Sequence, residues 1–126
     1  MDKVKYWLDL AKEDIDVARI LLKNGKLLHF GFMCHLVIEK ALKAIIASSD
    51  ADVPKTHDLV KLAKLGNVYS RMSDAQKDFL ELLLPLNIEA RYPSHKQSIL
   101  GTLTKAICVD MLKETEELFA WIEQQL

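Results

Sequence analysis

The stretch Glu89-Ala90-Arg91-Tyr92-Pro93-Ser94-His95 gathers the residue types in this chain best suited to phosphate chemistry. Arginine grips a phosphate through two parallel hydrogen bonds. Histidine titrates near neutrality and can move protons. Tyr92 can hydrogen-bond a substrate or stack on a base, and Pro93 sets the turn that carries the three together. Arg91 and His95 can hold an RNA phosphate and assist attack by the neighbouring 2′-hydroxyl, a reaction that needs no metal. The same residues also have plainer uses. Arg91 suits a helix end, where a cation meets the negative pole of the helix dipole and pairs with Glu89. Tyr92 suits the rim of a bundle, and His95 a solvated loop.

Other chemistries fail on spacing. A di-iron bundle needs Glu-x-x-His on two helices, and that pattern is absent from the sequence. His35 and Glu39 stand four apart, but one such pair is not a metal site. No His-x3-His or cysteine cluster suggests structural zinc. Walker, Rossmann and Gly-x-Ser-x-Gly patterns are also missing. Cys34 lies among Phe32, Met33 and Leu36, the surroundings of an inert core thiol. No metal or cofactor is expected.

The elements that must position these groups are helices. Residues 2–24 place Trp7, Ala11, Ile15, Ala18 and Leu22 at helical spacing, with charges opposite. Residues 28–47 are apolar around most of their girth, as befits a helix at the centre of a bundle or between a bundle and a partner. Thr56-His57-Asp58-Leu59 opens a short helix, with Thr56 or Asp58 as its cap. Ser73-Asp74-Ala75-Gln76 fits a capping box. The helix it starts carries a leucine-rich stripe through Ile88, with a kink expected near Pro85. A last helix is expected over about 98–124, with Gly101 as a soft point. Asn24-Gly25 and Gly66-Asn67 read as stops. The expected fold is all-α: an up-and-down bundle of four long helices plus a short one, forming a single domain over 1–126.

Length and composition agree. The chain has 126 residues, 50% hydrophobic and 28% charged, with four glycines and three prolines. That is one globular domain's worth and too few breakers for an all-β design. No apolar run reaches the ~18–20 residues that span a bilayer. The first residues do not read as a signal peptide. Two cysteines without a pairing motif suit a reducing compartment, so a cytoplasmic location is expected. The net charge of −1 makes no bulk case for nucleic acid. Locally the balance differs. Residues 53–71 and 91–105 each carry +3, and residues 72–90 and 106–126 carry −3 and −4. Such basic stretches can focus on phosphate, or can simply be solvated faces.

Four stretches, taken in order, resemble the HEPN (higher eukaryote and prokaryote nucleotide-binding) domains. They are Tyr6-Trp7-Leu8 followed by Ala11, Asp14, Ala18 and Leu21-Leu22; Phe32 through Ala44 with Glu39-Lys40-Ala41-Leu42-Lys43-Ala44; Thr56-His57-Asp58-Leu59; and Ala90-Arg91-Tyr92-Pro93. The resemblance covers about residues 5–120. It implies a helical bundle that pairs as a homodimer. It also implies a toxin–antitoxin setting, in which many prokaryotic members accompany a minimal nucleotidyltransferase antitoxin. In the active branch the HEPN subunit is a metal-independent endoribonuclease whose motif is Arg, four to six residues, then His. Arg91 and His95 enclose only three. Two readings follow: an RNA-cleaving subunit in which Arg91, His95 and Tyr92 act, or a non-catalytic dimeric module that binds nucleotide or protein.

The resemblance also marks Asp14, Glu39 and His57, with Arg91, as candidate nucleotide-binding residues. Each has a structural alternative. Asp14 and Glu39 suit ion pairs, and Glu39–Lys43 has the favourable i, i+4 order. His57 suits packing or capping just inside a helix start.

Overall fold

The computed structural model describes residues 2–87 and 101–126. Arg91, Tyr92, Pro93 and His95 lie outside the described residues. Five α-helices are described: α1 (Lys3–Lys23), α2 (Leu27–Ser48), α3 (Leu59–Leu65), α4 (Asp74–Leu83) and α5 (Lys105–Gln124). Single 3-10 turns occupy Tyr69–Arg71 and Leu84–Leu86. No strand occurs among the described residues, and the fold is an all-α helical bundle.

Four of the five starts are set by a local hydrogen bond. Asp2, Asp58, Ser73 and Thr104 accept from backbone N–H groups of α1, α3, α4 and α5 respectively, covering donors that a helix leaves unpaired in its first turn. Ser73 and Gln76 form the full reciprocal capping box. Between Thr56 and Asp58 the cap is Asp58, so His57 sits just outside α3 rather than inside its first turn.

Two breaks differ from expectation. The leucine-rich helix does not bend through Pro85. It ends at Leu83 and tightens into a 3-10 turn that holds the proline near its start, where the missing N–H costs nothing. In the last segment the break falls at Leu103-Thr104, where Thr104 can cap, rather than at Gly101.

A three-residue link joins α1 to α2, so the two run antiparallel. Their cross-links confirm the direction: Asp14 meets Lys40, while Trp7, earlier on α1, meets Lys43, later on α2. α5 lies along both, with Arg19 bridging to Glu116 and Lys12 to Glu123. α2 touches α1, α3, α4 and α5, and this explains its apolar girth. Phe30, Val37, Ile38, Ala41 and Leu42 are fully buried inside the chain. Each large side chain so buried contributes about 1.5–3 kcal/mol. Most of the apolar surface of α2 is thus covered without a partner subunit. α5 keeps Ile107 and Val109 on the surface. No described helix is long and apolar enough to cross a membrane.

Candidate functional site

α2 is apolar almost throughout, yet it carries His35, Glu39 and Lys43 at intervals of four, all on one face and all buried. Buried polar groups need partners, and these three find them in one another and in the segment between α2 and α3. Lys43 Nζ donates to Glu39 Oε2 at 3.0 Å. His57 Nδ1 lies 2.8 Å from Glu39 Oε1. His35 Nε2 lies 3.1 Å from the backbone carbonyl of His57. The Lys43 ammonium also rests 5.4 Å from the centroid of the Trp7 ring on α1, and Trp7 packs edge-on against Tyr6.

The bonding pattern assigns the protons. The carbonyl of His57 only accepts, so His35 Nε2–H donates to it. Burial pushes the His35 pKa below its ordinary 6.5, and this outweighs the opposing pull of Glu39. His35 is therefore neutral. Its Nδ1 keeps a lone pair, without a hydrogen-bond partner, 3.6 Å from Glu39 Oε1. Glu39, an acceptor on both oxygens, takes the Nδ1–H of His57 and a proton of Lys43.

His57 is thereby left with Nε2 as its basic nitrogen. Its side chain is 53% exposed, whereas that of Glu39 is 5% exposed. A buried carboxylate thus fixes the tautomer and orientation of a solvent-facing imidazole. Such a pair can accept a hydrogen bond or a proton at Nε2 from a hydroxyl, and once Nε2 carries that proton it can donate to an anion.

The predicted residues are not all brought together. Glu39 and His57 meet directly. Asp14 is instead committed to Lys40, with Oδ2 at 2.5 Å from Nζ, in an ion pair that ties α1 to α2. Arg91, Tyr92 and His95 fall outside the described residues. His35 and Lys43 are not among the predicted site residues, yet both belong to the cluster around Glu39. The signal that marks them is the i, i+4, i+8 polar series 35-39-43 on an otherwise apolar helix. Cys34 is the inert thiol expected: burial pushes its pKa up to about 12. Among the described residues no group of three or more His, Cys, Asp or Glu is placed to hold a metal ion.

Comparison with known proteins adds a structural neighbour and a family. No curated protein matches the sequence. Among solved structures, the crystal structure of TT1696 from Thermus thermophilus is similar over 100% of both chains, with a TM-score of 0.81 and 19% sequence identity. At that identity the likeness speaks for the fold alone. The family model of the HEPN domain matches residues 4–125. A match over nearly the whole chain, on the bundle just described, means that this protein belongs to the HEPN-domain family.

Proposed function

We propose that this HEPN-domain protein binds RNA or a nucleotide as a subunit of the toxin–antitoxin type. The observation that carries the reading is the exposed imidazole of His57 held by the buried Glu39, an arrangement suited to a phosphate or a hydroxyl at the protein surface. Arg91 grips the phosphate in this reading, and His95 or Tyr92 assists metal-independent cleavage by the 2′-hydroxyl. Asp14 enters it only by anchoring α1 to α2 through Lys40. In this reading the chain works as a homodimer, as the family resemblance implies. A minimal nucleotidyltransferase is the proposed antitoxin partner.

A second reading keeps binding and drops cleavage. The three-residue interval between Arg91 and His95 favours it, because reacting groups must sit within about 3 Å of their targets. One experiment separates the two. RNA is incubated in EDTA with the purified chain and with its Arg91→Ala, His95→Ala and His57→Ala variants. Cleavage lost in the Arg91 and His95 variants supports the ribonuclease. Binding without cleavage, weakened by Arg91→Ala and His57→Ala, supports the module. Neither binding nor cleavage by the folded protein overturns both.

A further inference from the structure

The basic stretch 61–71 contains Lys61, Lys64 and Arg71 and no acidic residue. The fold adds Lys77 to it from α4. The Lys64 ammonium lies 5.1 Å from the centroid of the Tyr69 ring, and the Lys77 ammonium lies 4.8 Å from the same centroid. One aromatic ring thus holds two like charges that come from different helices.

Lys77 has carboxylates within helical reach, Asp74 three residues before it and Glu81 four after. Its ammonium nevertheless sits on the ring, and among the described residues neither Lys64 nor Lys77 forms an ion pair. Two cations near one ring, with no ion-pair partner among the described residues, make this a locally basic spot that attracts anions.

A recess of about 270 Å³ opens beside the Tyr69 ring, lined by Lys64, Asn67, Tyr69 and Ser70; Lys77 meets the same ring without lining the recess. It is smaller than the ~300–1,000 Å³ of pockets that engulf a whole drug-sized ligand, so it suits a phosphate group and the atoms next to it. The backbone N–H groups of Gly66, Asn67 and Val68 are spent on the carbonyls that close α3. The recess offers the Lys64 ammonium, the Ser70 hydroxyl and the Asn67 amide, and Lys77 adds its charge from the same Tyr69 ring.

We infer that Lys64, Lys77 and Tyr69 form a phosphate-binding site, distinct from the Glu39–His57 pair. His57 precedes α3 and Lys64 lies in its last turn, so the seven residues of α3 set the two sites about 10 Å apart along the helix. The phosphate belongs to a free nucleotide or to the backbone of a single strand.

The test is a ¹H–¹⁵N NMR titration of the full chain with two probes, AMP and a ten-residue oligouridylate. Saturable shifts at the amides of Asn67, Tyr69 and Ser70 are expected. Shifts with AMP identify a terminal phosphate as the ligand, and shifts with the oligonucleotide alone identify a backbone phosphate. Lys64→Gln with Lys77→Gln should weaken the effective probe about tenfold or more and lower the salt dependence of oligonucleotide binding by about 1.4 in log–log slope. The rest of the spectrum should stay unchanged. Shifts confined to the amides around Glu39 and His57, with none at Asn67, Tyr69 and Ser70, would place the probe on that pair instead and overturn the inference. No shift with either probe, or shifts that the double variant leaves untouched, would overturn the inference.

Discussion

His57 presents its Nδ1 to Glu39 Oε1 at 2.8 Å, while its backbone carbonyl is held at 3.1 Å by His35, one helical turn before Glu39 on α2. The residue leading into α3 is thus fastened to α2 at two points, once through its side chain and once through its main chain. That double fastening is what makes the imidazole's direction a property of the fold rather than of a free loop.

Glu39 is the hinge of this arrangement, because it answers both Lys43 and His57. Glu39→Gln keeps the shape but leaves Lys43, whose side chain is 8% exposed, without its counter-charge. Removing one partner of a buried pair costs about 3–5 kcal/mol. Urea denaturation should show a loss of that order. The double variant with Lys43→Met should recover part of it, giving a coupling energy well above zero in the mutant cycle.

Stability should fall on acidification through His35. Its folded pKa lies below the ordinary 6.5 because the ring is buried. Above 6.5 both folded and unfolded states hold it neutral, and the folded state loses nothing. As the pH drops below 6.5 the unfolded chain takes up a proton that the folded chain refuses, so stability declines until the folded pKa is reached. Urea midpoints measured between about pH 7.5 and 5, a range set by the ~6.5 reference value for histidine, should decline. His35→Gln should flatten that decline.

Gly66 and its neighbour should respond in opposite ways. A Cβ on Gly66 would stand 2.8 Å from Ile45 Cγ2 on α2, closer than such atoms approach, although the backbone of Gly66 is ordinary. Gly66→Ala should cost about 1–3 kcal/mol through this overlap. Asn67 carries the left-handed backbone of the turn, with φ of 58°. Asn67→Gly should be neutral or slightly stabilising, because glycine takes that conformation without penalty. Thermal melts of the two variants check the contrast.

Much of the architecture is legible in the sequence because it depends on neighbours three and four residues apart. The Ser73–Gln76 capping box, the stop at Asn24-Gly25 and the buried Cys34 on an apolar helix all follow from local spacing. So does the family, since its motifs lie in order along the chain. What the tertiary structure alone decided is which distant residues share one place. Asp14 and Glu39 look alike in sequence, each an acid on a helix lining the bundle. The antiparallel packing of α1 on α2 spends Asp14 on Lys40, while the segment between α2 and α3 delivers His57 to Glu39. Lys64 and Lys77 likewise meet on Tyr69 only because α3 and α4 pack together. Helical periodicity places a side chain on a face, but the partner of that face is chosen by how the helices pack, and no local rule contains that choice.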